Sequence, residues 1–501
     1  MDEPVNEPSV EPLDKLSRLT RQGSVIRLKG LNDLQFTAIA AGLGLVLAAG
    51  VVLAAGPWDS GQRTAERDRA AARSRTGGVH HEAAAPTGPE PAPSAPAVLA
   101  PLSSGVDKAA ADTRDTPDVS AAAFSAALRP LLKASALGTV RTAVVIDTST
   151  GRRLYGQGAD TPMTPASTVK IATAVAALSA LGPDHRIATT VRVSPDSRSV
   201  TLVGGGDPTL DKAALRTLAG DTARALKERG VKKVRLTYDA SRYSGPVRHP
   251  IGPNENIAPV TALMTDEGRL DTSVSGPAPR SGDPAGDTAR TFGELLDDAG
   301  ITTRSRPEAG RPAAKSRQVA EHLSAPLSGL VERALTNSDN DIAEALARQT
   351  ALAAGEPADF NGGRRAVTAQ LKKLGLPLKG ANFADGSGLN RKDKVTAGLL
   401  AGLLTRAADP DHPELRPVLT GLPVAGFTGT LSGRYTGKSA GTGLVRAKTG
   451  TLTGVNTLAG TVVDKRGRLL AFAFLASGTT SPSEAQSSLD ALATALASGT
   501  R

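Results

Sequence analysis

The longest charge-free apolar run of the chain covers residues 36–57. About 20 apolar residues are enough for a helix to cross the hydrocarbon core of a bilayer. Basic residues precede the run: Lys15, Arg18, Arg21, Arg27 and Lys29. Because positive flanking charge stays in the cytoplasm, we expect a single-pass anchor in the cell membrane, with residues 1–35 cytoplasmic and the remainder extracellular. Cleavage near the LAAG at 53–56, giving a secreted protein, is the alternative.

Residues 58–117 follow a different pattern, rich in Ala, Pro, Arg and Gly and poor in large apolar side chains. Such a composition buries too little apolar surface to offset the entropic cost of ordering the chain. We therefore expect a flexible, partly extended linker between the anchor and the folded part.

The periodic patterns of a folded protein begin near Asp118. Helical spacing of apolar residues is followed by a strand, a turn and a second strand within residues 142–160. Past Gly182 the pattern changes to short alternating runs, a long polar helix over 212–229 and a further strand. Helical patterns return over 326–351, and two strands close the chain. These patterns predict an α/β (α+β) protein.

The changes of pattern also set the expected domains, since 501 residues are too many for one hydrophobic core. The expected units are a catalytic domain formed by residues 118–185 and 326–501 and a small α/β accessory domain inserted at residues 186–325. The net charge of +10 would suit an anionic partner. However, the basic residues are scattered, which favours a solvated basic surface, and we expect no nucleic-acid partner. The absence of cysteine excludes disulfides, thiolate metal sites and a cysteine nucleophile, and we expect no cofactor or metal.

A serine and a lysine stand three residues apart in the charge-free stretch PASTVKIATAVAAL. On a helix this spacing puts Ser167 and Lys170 on one face, about one turn apart, so that the amine can reach the hydroxyl. Serine becomes a good nucleophile when a base takes its proton, and a lysine acts as that base if burial or another cation lowers its pKa. The alternative is a capping serine followed by a surface lysine.

Two further motifs follow downstream: SDN at 338–340 opens a helical run, and KTGT at 448–451 enters the closing pair of strands. Taken alone, Ser338 or Asn340 before DIAEALAR is good N-cap chemistry, and KTGT fits a turn with a surface lysine. A cation and two hydroxyls on a strand edge would bind a substrate carboxylate and lower the pKa of a neighbouring ammonium. Each triplet is common by chance, whereas the ordered set of SxxK, SxN and KTG is not.

The ordered set resembles the penicillin-recognising serine acyl-transferases: D-alanyl-D-alanine peptidases, penicillin-binding proteins and serine β-lactamases. Four other stretches narrow the resemblance, GGGDPTL at 204–210, YDASRYSGP at 238–246, DGSGLNR at 385–391 and LPVAGFTGTLSGRY at 422–435. They look like segments of the low-molecular-mass class C penicillin-binding proteins, which are D-alanyl-D-alanine carboxypeptidases and endopeptidases. The resemblance runs from about Asp118 to the C-terminus.

This resemblance implies a transpeptidase-like domain with a five-stranded antiparallel sheet covered by helices, and an insertion between SxxK and SxN. It implies peptidoglycan stem peptides as substrates and β-lactam antibiotics as covalent inhibitors. The implied catalytic residues are Ser167, Lys170, Ser338, Asn340 and Lys448, and the implied substrate-binding residues are Thr449, Gly450, Thr451 and Arg391.

By motif match, Ser167 attacks the carbonyl of the terminal D-alanyl-D-alanine bond and Lys170 accepts its proton. Ser338 passes a proton to the departing amine, and Asn340 holds the substrate amide. Lys448 keeps the site electropositive. Thr449 and Thr451 bind the terminal carboxylate, and the backbone N–H groups of Ser167 and Thr451 form the oxyanion hole. Water then releases the shortened peptide.

The sequence departs from the family pattern at two points. Asn390 stands where the family has a second serine, and the insertion is short for the family. Arg391 could reach a side-chain carboxylate of the stem peptide, and a structural salt bridge is the alternative role for it.

Other functions fit some of the same residues less completely. GKSAG at 437–441 matches the elbow of a Ser-His-Asp hydrolase, but no histidine follows His412 to complete the expected order. The Gly-Lys-Ser within it could belong to a nucleotide-binding phosphate loop, but the glycine that such a loop requires five residues earlier is missing. A serine β-lactamase shares the acylation machinery, although the ExxLN pattern of one large class is absent. A non-catalytic cell-wall scaffold would usually have lost the serine or the lysine, and both are intact. Carboxypeptidase and endopeptidase action remain equally compatible with the motifs.

Overall fold

The computed structural model describes residues 119–498. The strands are β1 Val140–Asp147, β2 Arg153–Gln157, β3 Ala188–Val193, β4 Ser199–Val203, β5 Lys233–Asp239, β6 Thr302–Thr303, β7 Glu308–Ala309, β8 Arg317–Leu323, β9 Val445–Leu452, β10 Val455–Val463 and β11 Leu469–Ser477. The α-helices are α1 Val119–Leu131, α2 Lys170–Leu181, α3 Lys212–Lys227, α4 Pro284–Asp298, α5 Leu327–Thr336, α6 Asn340–Ala353, α7 Phe360–Lys373, α8 Ala397–Ala408, α9 Pro417–Thr420 and α10 Pro482–Ser498.

The predicted cytoplasmic tail, anchor and linker, residues 1–117, lie outside the described residues. Between residues 119 and 498, no helix is both long enough and apolar enough to cross a bilayer.

Five strands form an antiparallel sheet in the order β2-β1-β11-β10-β9. Strand β11 shows how the sequence covers both faces of this sheet with helices. Ala471 and Ala473 face the core that contains α2 and α8, whereas Phe472 and Phe474 face the core that contains α1 and α10. Side chains alternate between the two faces of a strand, so the small alanines allow helices to pack closely on one side. The sheet implied by the resemblance is confirmed.

Helix α2 runs through the middle of one of these cores. All residues from 170 to 178 are buried, which explains why the helix carries no charge after its first residue. It packs against α5, α6, α7 and α8. The buried start of this helix is also the place where the sequence puts a lysine.

A second, six-stranded sheet is built from the chain between α2 and α5. Its order is β6-β5-β4-β3-β8, with β7 also paired to β5, and it mixes parallel and antiparallel neighbours. Leu215, Leu218 and Leu226 of α3 and Phe292 and Leu296 of α4 pack against this sheet. The segment therefore has a hydrophobic core of its own.

Candidate active site

Ser167 lies in a short 3-10 turn, Ala166–Val169, that leads directly into α2. The sequence pattern placed both site residues on one helix, whereas the α-helix begins at Lys170 itself. The predicted proximity is present, because Nζ of Lys170 lies 3.0 Å from Oγ of Ser167. Ala166 has a φ of +47°, a left-handed conformation that costs a non-glycine residue about 1–2 kcal/mol. Neighbouring segments must therefore hold the turn in place.

Two glycines allow those segments to approach the turn. A Cβ atom on Gly388 would lie 2.1 Å from the carbonyl oxygen of Ala166. A Cβ atom on Gly450 would lie 2.7 Å from the carbonyl oxygen of Pro165 and 2.2 Å from Oγ1 of Thr457. The Thr457 hydroxyl donates to that carbonyl of Pro165 at 2.8 Å. Strands β9 and β10 thus fix the turn that carries the serine.

The side chain of Lys170 is fully buried and has three oxygen partners. Its Nζ lies 3.0 Å from Oγ of Ser167, 2.7 Å from Oδ1 of Asn340 and 2.6 Å from the carbonyl oxygen of Ser387. Burial lowers the pKa of Lys170 to about 8, although nearby carboxylates, with Asp385 foremost, oppose the shift. The amine can therefore lose its proton near neutral pH, as a general base must.

A second buried lysine faces a second serine. Nζ of Lys448, on β9, lies 2.8 Å from Oγ of Ser338 and 2.8 Å from the carbonyl oxygen of Thr449. Burial, followed by the charge of Lys170, lowers the pKa of Lys448. Ser338 has a φ of +59°, again a left-handed conformation. Each of the two serines in the site thus has a buried amine within hydrogen-bond distance.

Asn340 connects Lys170 to the segment between α2 and α5. Its Oδ1 accepts from Lys170, and its Nδ2 donates to the carbonyl oxygen of Asn256 at 2.9 Å. The N-cap of α6 is Asp339, whose carboxylate accepts from the N–H of Ile342 at 3.0 Å. The sequence offered Ser338 or Asn340 as the cap. The cap therefore leaves both of these side chains pointing to other partners.

The residues of the KTGT motif run along β9, an edge strand of the sheet. Thr449 donates to the hydroxyl of Thr430 at 2.9 Å, and the hydroxyl of Thr451 accepts from Gln486 at 3.4 Å. The side chain of Arg391 lies beside the β9–β10 turn. It donates to the carbonyl oxygen of Thr453 in the β9–β10 turn at 2.8 Å, and the described residues give it no carboxylate partner.

The structure adds the loop of residues 385–388 to the site. The carbonyl oxygen of Ser387 accepts from Lys170, and Oε1 of Glu344 accepts from the N–H groups of Gly386 and Ser387 at 3.0 Å each. The DGSG sequence marks this loop as a tight turn, but a backbone carbonyl leaves no signature in the sequence. His249, whose ring lies beside Asp385 in this loop, was also missed, because a single buried histidine carries no periodic signal.

Among residues 119–498, two buried clusters contain three side chains of metal-binding type each: His249, Glu344 and Asp385, and Glu267, Asp339 and Asp341. Protein donors already engage their acceptors, since Arg348 pairs with Glu344, His249 with Asp385, Arg269 and Arg333 with Glu267, and Arg280 with Asp341. A carboxylate neutralised by a buried guanidinium offers little charge to a cation. These donor sets fit internal ion pairs better than a metal ion.

With this geometry in place, comparison with known proteins is informative. The sequence matches the D-Ala-D-Ala carboxypeptidase 3 (S13) family over residues 124–283 and 278–498. The chain belongs to the S13 family of D-alanyl-D-alanine carboxypeptidases. A carboxypeptidase of Mycobacterium tuberculosis is 38% identical over 431 residues, which cover 81% of this chain and 89% of that protein. Carboxypeptidase DacB of Mycolicibacterium smegmatis is 37% identical over 441 residues, covering 84% and 92%.

The S13 fold is also found in a solved structure. Penicillin-binding protein 4 of Haemophilus influenzae matches with a TM-score of 0.62 at 23% identity, over 75% of this chain and 98% of that one. The family resemblance drawn from the sequence is thereby confirmed. This S13 protein is a serine-type peptidase with D-alanyl-D-alanine carboxypeptidase function on peptidoglycan. Neither a serine β-lactamase nor a non-catalytic scaffold is favoured by these relatives.

Proposed function

We propose that this carboxypeptidase works through an acyl-enzyme on Ser167, with Lys170 as the general base. One observation carries the proposal: a fully buried amine with a pKa of about 8 lies 3.0 Å from the Ser167 hydroxyl. With that pKa, roughly a tenth of the molecules hold Lys170 unprotonated at pH 7. This fraction is large enough to support general-base catalysis.

In the proposed reaction, Oγ of Ser167 attacks the carbonyl carbon of the penultimate D-alanine while Nζ of Lys170 takes the hydroxyl proton. The bond between this carbon and the amide nitrogen then breaks, and the departing amine of the terminal D-alanine receives a proton through Ser338. Lys448, 2.8 Å from Ser338, relays that proton within the site. Water hydrolyses the resulting ester, which releases the shortened peptide and restores the Ser167 hydroxyl.

We propose that the substrate lies along β9. As an edge strand, β9 can pair with an extended peptide through its backbone. The hydroxyls of Thr449 and Thr451 would bind the terminal carboxylate, and Gly450 keeps the strand close to the Ser167 turn. Asn340 would hold the substrate amide. Arg391, exposed beside the β9–β10 turn, would meet a side-chain carboxylate of the stem peptide.

The proposal is tested with detergent-solubilised full-length protein and muropeptides that carry pentapeptide stems. We expect release of D-alanine and a matching loss of mass from the peptide. Ser167→Ala should abolish both while leaving the thermal melting temperature unchanged within error. A second assay with D-alanyl cross-linked muropeptides measures endopeptidase action. A folded Ser167→Ala variant that still releases D-alanine at the wild-type rate would exclude Ser167 as the nucleophile.

We further propose that β-lactams acylate the same serine. A β-lactam presents an activated amide carbonyl to the nucleophile and keeps its leaving amine tethered. A second structure of the Haemophilus influenzae protein, with a TM-score of 0.58, is a complex with a β-lactam. The buried Ser167–Lys170 pair of this chain has the chemistry for the same attack.

We propose that residues 36–57 anchor the enzyme in the cell membrane with its catalytic part outside. The support is the charge-free run and the basic residues before it. Fractionation of cells that express the full chain should place it in the membrane pellet, resistant to high salt. Deletion of residues 1–57 should abolish that association. Release of a mature form cut near residues 53–56 into the medium would contradict the anchor and indicate a cleaved signal.

A further inference from the structure

The segment inserted between α2 and α5 contains a buried histidine, His249, which contacts the 385–388 loop beside Lys170. His249 follows β5, and its side chain is 1% exposed. Its Nε2 lies 2.8 Å from Oδ2 of Asp385, whose side chain is fully buried. We propose that His249 is a positioning residue for the reaction: with Asp385 it holds the 385–388 loop against Lys170 and Ser167 and thereby prepares Lys170 to accept a proton. This inference rests on the general-base role proposed above for Lys170.

The hydrogen bonds of His249 assign its tautomer. The N–H of Ile251 donates to Nδ1 at 3.3 Å, so Nδ1 is an acceptor and the ring proton of neutral His249 is on Nε2. Nε2–H therefore donates to the carboxylate of Asp385. Phe360 packs edge-on against the ring with a centroid distance of 5.4 Å. The imidazole is consequently fixed in position and in its direction of donation.

Asp385 passes this fixation on to the loop. Its Oδ1 accepts from the N–H of Gly388 at 2.6 Å, and its Oδ2 accepts from the N–H of Asn390 at 2.7 Å. The turn so formed directs the carbonyl oxygen of Ser387 at Nζ of Lys170, 2.6 Å away. On its other side, a Cβ atom at Gly388 would lie 3.0 Å from the backbone nitrogen of Ser167. Movement of Asp385 would therefore displace contacts of both the base and the nucleophile.

Asp385 also acts on Lys170 through its charge. Burial alone would raise the pKa of Asp385, but the hydrogen bond from His249, helped by the one from the N–H of Gly388, opposes it, and the pKa is lowered to about 2. Burial and the charge of Asp385 raise the pKa of Asp393. Asp385 is thus an anion facing Lys170, and it raises the pKa of Lys170 against the effect of burial.

The other charged groups around these side chains do not replace Asp385. Asp339, Glu344 and Asp393 raise the pKa of Lys170 less than Asp385 does, and Glu344 is paired with Arg348 at 2.9 Å. Glu344 is also the second carboxylate near the His249 ring, and Arg348 lies over Phe360 at 4.2 Å. Lys448 is the second buried amine of the site, and burial lowers its pKa. Loss of the Asp385 charge should therefore leave Lys170 with a lower pKa.

The first test separates the donor of His249 from its volume. His249→Leu removes the donor, whereas His249→Gln can place an amide N–H near the position of Nε2. We expect acylation by a fluorescent penicillin to slow about tenfold to a hundredfold in His249→Leu through misplacement of the base, and to return to within about threefold of wild type in His249→Gln. The concentration for half-maximal rate should change less than the limiting rate.

A matched control is His412, which pairs with Glu414 at 2.9 Å and is partly exposed outside the site. His412→Leu removes the same kind of histidine–carboxylate contact and should leave the acylation rate unchanged. Equal rates for His249→Leu and wild type, or failure of His249→Gln to recover more than His249→Leu, would overturn the positioning role.

The second test measures how the acylation rate depends on pH. The loss of a purely structural contact would not shift this dependence along the pH axis. In wild type the acylation rate should rise with pH as Lys170 loses its proton, and this rise forms the acidic limb of the pH profile. Asp385→Asn removes an anion, so this acidic limb should shift to lower pH, by about one unit. Asp196→Asn removes an exposed anion in the β3–β4 turn, outside the site, and its limb should stay in place.

These outcomes separate the two proposals. A wild-type protein that is folded but not acylated at any pH contradicts the proposed function itself. An acylated wild type whose acidic limb is the same in Asp385→Asn contradicts only the inference about the His249–Asp385 pair. Thermal melting of every variant accompanies the kinetics. If His249→Leu does not fold, the pH at which the acidic limb of Asp385→Asn lies decides whether the inference holds.

Discussion

The chemistry of the site depends on amines that are buried rather than solvated. Lys170 and Lys448 are both fully buried, and each contacts a serine hydroxyl. Desolvation penalises the ammonium form, and for Lys170 it outweighs the attraction of the surrounding carboxylates. The same lysine on a surface would remain protonated near neutral pH and would leave the serine inactive.

Replacing the base gives a prediction at this scale. Lys170→Met keeps a long unbranched side chain without an amine, and we expect penicillin acylation to slow by about 10²–10⁴-fold. The wild-type rate should rise with pH through about 8, since the neutral amine is the active form, whereas the residual rate of the variant should lose this limb. Stopped-flow or quenched kinetics across pH 6 to 9, at about half-unit steps, measure both. If the acylation rate of Lys170→Met still rises with pH as in wild type, the group that titrates is not Lys170.

Lys465, exposed in the β10–β11 turn, provides the control. Lys465→Met removes a lysine of ordinary solvation, so the acylation rate and its pH profile should match those of wild type.

The sequence predicted these reactive pairs only in part. The SxxK spacing was sufficient to expect Ser167 beside Lys170, because local geometry decides that contact. The contact of Ser338 with Lys448 joins residues 110 positions apart and came only from the family resemblance. Ser387 and His249 were not predicted, since a backbone carbonyl and a single buried histidine carry no periodic signal.

At the scale of elements, the site depends on how closely β9 approaches the Ser167 turn. A Cβ atom on Gly450 would lie 2.2 Å from Oγ1 of Thr457 and 2.7 Å from the carbonyl oxygen of Pro165. One of these atoms must move if the glycine is replaced. Gly450→Ala should therefore destabilise the protein by about 1–3 kcal/mol and slow acylation, because the strand is pushed away from the serine.

The matched control for this change is Gly220, in the middle of α3, where nothing lies within 4 Å of an added Cβ atom. Gly220→Ala should raise the free energy of unfolding by about 0.5–1 kcal/mol, because alanine is the better helix former. Urea denaturation measures both variants. Equal stability of Gly450→Ala and wild type would show that β9 has room to relax.

Most elements could be predicted from the hydrophobic pattern. Strands β10 and β11 and the polar helix α3 lie where the periodicity placed them, because each has a distinct buried side. The expectation that these strands close the chain was wrong, since helix α10 follows β11. The start of α2 was predicted wrongly, since the turn Ala166–Val169 is set by distant contacts from Thr457 and Gly388. The predicted cap of α6, Ser338 or Asn340, was also wrong, because the carboxylate of Asp339 accepts from the buried N–H of Ile342.

At the scale of the whole described molecule, the inserted segment is joined to the SxN region by buried ion pairs. Nη1 of Arg280 lies 2.8 Å from Oδ2 of Asp341 and 2.6 Å from the carbonyl oxygen of Glu267. Glu267 in turn pairs with Arg269 and with Arg333 of α5. The patterns that separated the inserted segment in the sequence could not reveal the Arg280–Asp341 and Glu267–Arg333 pairs, because their partners are far apart along the chain.

Breaking one such pair gives the prediction at this scale. Arg280→Met leaves the carboxylate of Asp341 buried without its cation, and such a loss typically costs about 3–5 kcal/mol. The exposed pair of Arg235 and Glu308 is the control, and Arg235→Met should change stability by less than about 1 kcal/mol. Urea unfolding of the full chain compares them. Equal losses in the two variants would show that burial does not decide the contribution of these pairs.

The most direct measurement of the central claim is the intact mass of the full-length protein after incubation with benzylpenicillin. The account predicts that wild type gains the mass of one penicillin molecule and that peptide mapping locates it on Ser167. It also predicts that Ser167→Ala gains nothing, while Lys465→Met behaves like wild type. An unmodified wild-type mass in folded protein, or an adduct on a residue other than Ser167, would contradict the account.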